Sequence, residues 1–225
     1  MHLLAWSGGV AFVASLAVTG YVLGAVWPHV PSRPAADVPL ALLWNALLFT
    51  LFAMHHSVLA RAGVKQRIER LSPVLAHRSV YVWVASALLA LTAFAWRPIG
   101  HPLWDLGGAR RAAAWLLQGG GAVLILLAGR VIDPLELAGI HPATNNRLEA
   151  RGPYRLVRHP LYLGALLILW STPAMTGDRL AFAALSTLYI AIAIPWEEAS
   201  MRRAIGHAYD RYRVRVRWRV IPGLY

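Results

Sequence analysis

Residues 151 to 164 form the stretch whose side chains are best suited to bind a charged ligand. Three arginines, one histidine and two tyrosines occur in it, and Leu161 begins an apolar run. Gly152-Pro153 interrupts the preceding structure, and Pro160 suits the first turn of a helix, where its missing N–H has no helical partner. A helix N-terminus offers unpaired N–H groups, and arginines add charge-assisted hydrogen bonds. The stretch therefore predicts a carboxylate or phosphate site where a polar loop meets the membrane; a basic loop that only sets topology and contacts lipid phosphates is the alternative.

Two adjacent glutamates, Glu197 and Glu198, follow Pro195-Trp196 at the end of the last apolar segment. A carboxylate at this position is costly unless it meets a cation or a hydrogen-bond donor, which a cationic or amine-bearing ligand would supply. Adjacent helical residues point about 100° apart, so we expect one of the two to face the ligand. The alternative is a solvated pair, or salt bridges to the arginines of the tail and of residues 151–158.

A third group of candidates lies near the ends of two other apolar segments. His55-His56-Ser57 closes the second segment, and Tyr81 lies about one turn inside the third. We predict that this group lines a substrate pocket; interface histidines bonded to the backbone and a tyrosine of the aromatic belt are the alternatives. Adjacent histidines on a regular helix cannot both face one ion, so no metal site is predicted.

Apolar helices must position these groups. The composition is 58% hydrophobic and 14% charged, and the apolar runs are too long for a soluble core. The sequence predicts an all-α polytopic integral membrane protein of about six spans, which are residues 3–27, 38–59, 79–96, 112–128, 160–174 and 179–196. The last two spans predict a C-terminal helical hairpin. Its first segment, residues 160–174, is short for a membrane crossing of about 30 Å. In the fourth, Gly119-Gly120-Gly121 permits a close helix contact or a bend.

The basic residues predict the topology. The net charge of +12 would suggest nucleic acid in a soluble protein, but most of the Lys and Arg residues fall in the 61–78 loop, the 130–158 loop and the tail from 202. These segments share one side of a six-span protein, and the positive-inside rule places them and both termini in the cytoplasm. The first apolar segment lacks a basic n-region, so we interpret it as a retained helix rather than a signal peptide. The chain has no cysteine, which excludes disulfides and thiolate chemistry.

Several motifs carry a family resemblance. Those of the C-terminal half are Gly152-Pro153-Tyr154, Arg158-His159-Pro160-Leu161-Tyr162-Leu163-Gly164, Glu197-Glu198, and Gly206 with Tyr209, Tyr212, Val216 and Ile221-Pro222. In order and spacing they resemble the isoprenylcysteine carboxyl methyltransferase and phospholipid methyltransferase superfamily. The N-terminal half resembles the NnrU-type membrane proteins, on His56-Ser57, Ala60-Arg61, Lys65 and Arg78-Ser79-Val80-Tyr81-Val82. The two halves in one chain are similar to the bacterial methanethiol S-methyltransferase family.

The resemblance implies an S-adenosylmethionine cofactor on the cytoplasmic side of a bacterial inner membrane. The positions that match cofactor-binding positions of the superfamily are Tyr154, His159, Pro160, Leu161, Tyr162 and Glu197. Their residue types agree with this, because a donor-rich loop suits the methionine carboxylate, and a carboxylate or an aromatic face suits the ammonium and the sulfonium. The implied domains are residues 1–130, NnrU-like helices that line the substrate pocket, and residues 131–225, the methyltransferase core with its hairpin and cytoplasmic tail.

Two positions depart from the superfamily pattern. Ala193 lies where prenylcysteine enzymes carry an arginine that is thought to hold the substrate carboxylate, which argues against a carboxylate substrate. Asn146 lies where those enzymes tend to have histidine, so cofactor contacts in that loop are not carried over.

We therefore expect in-line methyl transfer to a small hydrophobic thiol such as methanethiol, giving dimethyl sulfide, in a water-poor cavity among membrane lipids. A thiol pKa of about 8.5 or higher requires a group that stabilises the thiolate or accepts its proton, and His56, Tyr81 and Arg158 are the candidates in that order. One alternative is a lipid, prenylcysteine or other hydrophobic acceptor. Another is a non-catalytic, NnrU-like membrane protein.

Overall fold

The computed structural model describes residues 2–59, 61–71, 78–141 and 148–225 of the 225-residue chain, and most of this part is helical. The α-helices of the described residues are α1 (His2–Tyr21), α2 (Val38–Val58), α3 (Ala62–Leu71), α4 (Arg78–Phe94), α5 (Gly108–Ile132), α6 (Pro134–Leu137), α7 (Pro160–Trp170), α8 (Gly177–Ile205) and α9 (His207–Arg215). Two short strands, β1 (Pro102–Asp105) and β2 (Ala174–Thr176), pair in a two-stranded sheet.

Four helical stretches of the described residues are long and apolar enough to cross a membrane. They are Leu3–His29, Ala35–Val58, Gly108–Ile132 and Gly177–Ile205. The helices α4 and α7 are apolar but shorter; α7, with 11 residues, is about 16 Å long against a hydrocarbon thickness of about 30 Å. The prediction of a helical integral membrane protein is therefore confirmed, while the six crossings and the cytoplasmic termini stay predictions.

Local structure differs from the sequence-based expectation in three places. The last predicted span continues past residue 196 as helix to Ile205, with Pro195 inside it, so Glu197 and Glu198 are helical. Part of the basic loop after α2 forms α3. The chain is not purely α-helical, because the connections that contain β1 and β2 are rich in Pro and Gly and satisfy part of their backbone by pairing as strands.

The chain divides into two compact units. The first contains residues 1–103, 135–142 and 175–181, and the second contains 104–134, 143–174 and 182–225. The predicted functional division at residue 130 stays a prediction.

In the first unit, α4 packs against α1 and α2, and buried polar groups hold the turn that follows α4. Asn45 on α2 exchanges two hydrogen bonds with the backbone of Arg97, at 2.9 and 2.8 Å. The carboxylate of Asp178, at the start of α8, accepts from Trp96 Nε1 and from the backbone N–H groups of Ile99 and Gly100, at 2.7 to 2.9 Å. The hydrogen-bonding groups of these buried side chains already have protein partners. They therefore stabilise the fold and are not assigned to a ligand site.

In the second unit, α7 packs between α5 and α8. Gly121 of α5 faces Gly164 of α7, and a Cβ added to either glycine would lie 2.7 Å from the carbonyl oxygen of the other. On the α8 side, a buried cluster contains Ile190 and Ile194 with Val220 of the tail, against which side chains of α7 pack. The N-terminus of α7, where the 151–164 stretch ends, is thereby fixed in place.

Candidate functional site

The C-terminal tail holds the 151–164 stretch at the start of α7. The backbone N–H groups of Arg158 and His159 donate to the carbonyl oxygens of Trp218 and Arg219, at 2.9 and 2.8 Å. The hydroxyl of Tyr212 donates to the carbonyl oxygen of Tyr154 at 2.8 Å. The tail therefore fixes the backbone of the stretch from which the candidate side chains project.

Arg158 is buried, and its Nε and Nη1 atoms are bonded to protein groups. Its Nε donates to Glu198 Oε1 at 2.6 Å, and its Nη1 donates to the carbonyl oxygens of Val216 and Arg217, both at 2.7 Å. The side chains of Arg158 and Glu198 are 5% and 6% exposed. Two charges this deeply buried require each other, because the free energy of removing them from water is recovered only by direct pairing. The donors of Arg158 thus tie the 151–164 stretch to α8 and to the tail.

The two adjacent glutamates lie in different surroundings. Glu198 Oε2 also lies 3.3 Å from Nε of Arg219, so a second cation neutralises the same buried carboxylate. The side chain of Glu197, in contrast, is 44% exposed. The two carboxylates therefore differ in exposure and in their cationic partners, while the expectation that one of them faces a ligand stays a prediction.

Glu197 forms an open polar cluster with Tyr162 and His159. The hydroxyl of Tyr162 donates to Glu197 Oε1, and His159 Nδ1 lies 3.6 Å from Glu197 Oε2. The rings of His159 and Tyr162 stack with their centroids 5.6 Å apart. His159 Nε2 lies 3.4 Å from Glu198 Oε1, so the imidazole sits between the two carboxylates. We refer to Glu197, Tyr162 and His159 as the Glu197 cluster.

Three backbone N–H groups at the start of α7 are hydrogen-bonded within the protein. The N–H groups of Tyr162 and Leu163 both donate to the carbonyl oxygen of His159 at 3.1 Å, and the N–H of His159 itself is bonded to the tail. A ligand at this position would therefore bind the side chains of the Glu197 cluster and not these main-chain N–H groups. Pro160 is buried as the first residue of α7, and Leu161 beside it is half-buried.

Tyr154 lies in the short 3₁₀ turn Gly152–Arg155 that precedes α7, and its side chain is buried. Burial and the neighbouring Tyr212 raise the pKa of its phenol above the ordinary value. The hydroxyl therefore stays protonated at neutral pH and remains able to donate a hydrogen bond.

His56 and Tyr81, predicted to handle the substrate proton, are hydrogen-bonded to each other in the first unit. The Tyr81 hydroxyl donates to the main-chain oxygen of His56 at 2.8 Å and lies 3.0 Å from His56 Nδ1. The ring of His55 stacks on Tyr81 with a centroid distance of 5.2 Å. The interface of α2 and α4 thus joins a base and a phenol, while Arg158 and the Glu197 cluster belong to the second unit.

Comparisons with known proteins place these residues in a family. A family model described as phospholipid methyltransferase matches residues 110–208. The chain is 39% identical over 188 residues to methanethiol S-methyltransferase 2 of Bradyrhizobium diazoefficiens, covering 78% of this chain and 71% of that protein. It is 35% identical over 221 residues to the methanethiol S-methyltransferase of Mycobacterium tuberculosis, covering 92% and 91%, and 36% identical over 219 residues to that of a Pseudomonas species, covering 91% and 83%.

The chain belongs to the methanethiol S-methyltransferase family. It is therefore an enzyme of the methyltransferase class, and its apolar helices make it an integral membrane protein. The non-catalytic interpretation is set aside on this finding. No solved structure matches the chain.

A methyltransferase requires a methyl donor, and the Glu197 cluster fits a donor that carries positive charge. Glu197 offers a half-exposed carboxylate, and two stacked aromatic rings lie beside it. A carboxylate and aromatic faces are the protein groups that attract a cation. The neighbouring Glu198 cannot serve in the same way, because Arg158 and Arg219 already neutralise it.

Sequence reasoning missed the contribution of the tail to this candidate site. Arg219 and the carbonyl oxygens of residues 216–219 complete the surroundings of Arg158 and Glu198. The signal available is the alternation of Arg with apolar residues from 211 to 219, which by itself predicts only salt bridges to the glutamates. Within residues 2–59, 61–71, 78–141 and 148–225, no group of three or more His, Asp or Glu side chains could hold a metal ion. Ala193 is buried on α8, and Asn146 lies outside the described residues.

Proposed function

We propose that this protein transfers a methyl group from S-adenosylmethionine to a small thiol such as methanethiol, giving dimethyl sulfide. The observation that supports it best is the open Glu197 carboxylate, which bonds to Tyr162 and lies beside His159, in a chain similar over most of its length to methanethiol S-methyltransferases. When bound, S-adenosylmethionine supplies a methyl group activated by a sulfonium sulfur.

The cofactor-binding roles follow from the exposed groups. Glu197 would bind the ammonium group or the ribose hydroxyls, and Tyr162 holds that carboxylate in place through its hydroxyl. His159 contributes an imidazole between the glutamates, and the buried Tyr154, Pro160 and half-buried Leu161 shape the wall of the site. We place this site on the cytoplasmic face of the inner membrane, on the distribution of basic residues.

The thiol must lose its proton as the new S–CH₃ bond forms, because only the thiolate is strongly nucleophilic. With a thiol pKa of about 8.5 or higher, few molecules are ionised at neutral pH. We propose His56 as the proton acceptor, with the Tyr81 hydroxyl fixing its ring. Arg158 is the weaker candidate, because its donors are engaged with Glu198 and the tail.

A lipid amine is a second candidate acceptor. The match of residues 110–208 to the phospholipid methyltransferase model favours it, since that stretch holds all of α7 and α8. A bulky lipid would have to enter laterally between helices.

Methyl transfer from labelled S-adenosylmethionine by the purified protein in liposomes tests the proposal. Methanethiol, hydrogen sulfide, a prenylcysteine and phosphatidylethanolamine are offered separately, with Glu197→Gln as the test variant and Arg203→Gln, an exposed change on α8, as its control. We expect dimethyl sulfide from methanethiol, lost in the first variant and retained in the second. Labelled methyl groups in the phospholipid alone would identify the lipid amine as the acceptor. Absence of S-adenosylmethionine binding would overturn both the thiol and the lipid proposals.

The proton acceptor is tested by the pH dependence of the rate in His56→Ala. If His56 accepts the thiol proton, the variant is slow at neutral pH and recovers as pH rises above the thiol pKa, where the thiolate forms without help. Equal loss at every pH would assign His56 a structural role instead.

A further inference from the structure

An arginine-rich cleft lies outside the Glu197 cluster, beside the end of α8. It has a volume of about 600 Å³, and its lining side chains are Arg158, Arg202, Asp210, Arg213, Val214 and Arg217. Four guanidinium groups thus surround a single carboxylate, and guanidinium groups keep their charge at every physiological pH. The cleft carries net positive charge and is matched to an anion.

Two of these arginines are neutralised within the protein. Arg158 bonds to Glu198, as described above. Nε of Arg202 lies 2.9 Å from Oδ1 of Asp210, so these two side chains form an ion pair. Asp210 is the only acidic residue among those that line the cleft. The remaining positive charge belongs to Arg213 and Arg217.

Arg213 has donor capacity that the protein does not use. Its Nε atom is buried and has no hydrogen-bond partner in the described part of the chain. Its nearest carboxylate contacts, Nε to Glu198 Oε2 at 3.9 Å and Nη1 to Asp210 Oδ1 at 4.0 Å, are longer than hydrogen bonds. The Arg213 side chain as a whole is 36% exposed and lines the cleft, so an anionic oxygen there would meet a guanidinium group that has no carboxylate within hydrogen-bond distance.

One exposed apolar side chain lies among the basic groups of the cleft. Val214, in the cleft lining, is 78% exposed. Gly206, with a φ of 62°, ends the long apolar helix α8 and turns the chain directly into α9. Basic and apolar side chains mixed at the end of an apolar helix are typical of the level of lipid headgroups.

We propose that this cleft binds the phosphate group of an anionic phospholipid of the surrounding membrane. The lipid is a bound partner here and not a methyl acceptor, so the proposal stands whichever acceptor the enzyme uses. Soluble phosphate shares the charge but lacks acyl chains, and the exposed Val214 in the cleft lining favours the lipid.

Lipid binding to the full-length protein in neutral detergent tests this. Phosphatidylglycerol and phosphatidylcholine with the same acyl chains are titrated and followed by native mass spectrometry. We expect phosphatidylglycerol to bind at least about tenfold more tightly, and each arginine removed from the cleft to weaken it about fivefold, as for basic residues at an anionic surface. Arg217→Gln and Arg213→Gln/Arg217→Gln are the test variants. Arg203→Gln, an exposed arginine outside the cleft lining, is the control and should leave the affinity within about twofold.

Three outcomes would overturn the proposal. Equal weakening by Arg203→Gln and Arg217→Gln would show attraction by general surface charge. Equal binding of the two lipids would show that the phosphatidylglycerol charge is not recognised. Displacement of phosphatidylglycerol by millimolar inorganic phosphate would make the cleft a site for soluble anions. Should the double variant fail to fold, Arg217→Gln alone decides, because that side chain has no hydrogen-bond or ion-pair partner in the described residues.

Discussion

Glu197 and Glu198 are neighbours in the chain, but their carboxylates have different partners. One is half-exposed and bonded to a phenol, and the other is buried against Arg158 and Arg219. The rotation of about 100° between adjacent helical residues is sufficient to separate a ligand-facing group from a structural one. The same substitution at the two positions should therefore have different consequences.

At residue scale, Glu198→Gln should lower the stability of the fold, and Glu197→Gln should lower cofactor affinity. Loss of one partner of a buried ion pair leaves Arg158 without its counter-charge, which costs about 3 kcal/mol or more. Loss of the exposed carboxylate removes a charged hydrogen bond to the ligand, a loss of about 1.5–3 kcal/mol or roughly ten- to hundredfold in affinity. Thermal unfolding and calorimetric binding of S-adenosylhomocysteine measure the two effects. Similar unfolding temperatures for both variants would contradict this separation.

At the scale of elements, the packing of α5 on α7 depends on the absence of a side chain at one glycine. A Cβ at Gly121 would meet the carbonyl oxygen of Gly164 at 2.7 Å, whereas one at Gly120 would meet nothing within 4 Å. Small residues allow helix backbones to approach closely in membranes. Of the three adjacent glycines, the structure therefore assigns the close contact to Gly121.

Gly121→Ala should destabilise the protein by about 1–3 kcal/mol, because the added methyl group forces α5 and α7 apart. The matched change Gly120→Ala should be neutral or slightly stabilising, since alanine has the higher helix propensity. Thermal unfolding of the two variants in the same detergent gives the comparison. An equal loss in both would show that the glycine run is needed for flexibility and not for the contact.

The tail is a second element whose attachment can be measured. Tyr212 connects α9 to the 151–164 stretch, and burial raises the pKa of its phenol to about 12. Because this folded-state pKa lies above the unfolded value of about 10, its stabilising contribution is fully present below pH 10 and is lost as pH rises towards 12. Tyr212→Phe should cost about 1 kcal/mol at neutral pH and should lose less stability than the wild type between pH 9 and 11. Tyr21→Phe, on the exposed face of α1, is the control. If the stability of the wild type, Tyr212→Phe and Tyr21→Phe falls equally as pH rises, the assignment is contradicted.

At the scale of the whole molecule, topology decides which solution the Glu197 cluster meets. The distribution of basic residues predicts that the end of α8 lies in the cytoplasm and the start of α5 on the opposite side of the membrane. The chain has no cysteine, so a thiol reagent labels only a cysteine that is introduced. The labelling then shows on which side of the membrane that residue lies.

Ala204→Cys and Ala109→Cys replace exposed alanines at the end of α8 and the start of α5. With a maleimide that cannot cross the membrane, we expect intact cells to be labelled at position 109 and inverted vesicles at position 204. The reverse labelling pattern would show that the protein has the opposite orientation. Labelling of positions 109 and 204 from the same side would refute an odd number of membrane crossings between them.

Much of the architecture could be predicted from the sequence, because long apolar runs in water have no stable alternative to insertion as helices. The bounds of α2 agree with prediction within a residue or two, and the 151–164 motif was identified from its residue types. The extension of α8 through Pro195 and the pairing of β1 with β2 could not be predicted, because both depend on groups distant in the chain. Predicted roles for His56 and Arg158 remain predictions.

The sequence by itself determined that the chain enters a membrane and to which family it belongs, and it predicted which residues bind a cationic methyl donor. Hydrophobicity and residue type are local properties, so a linear pattern contains them. Only the tertiary structure decided which glutamate is open, that Arg158 is engaged by Glu198 and the tail, and that Arg213 retains an unused donor. These outcomes depend on which distant groups approach within about 3–4 Å, a distance over which hydrogen bonds and ion pairs act.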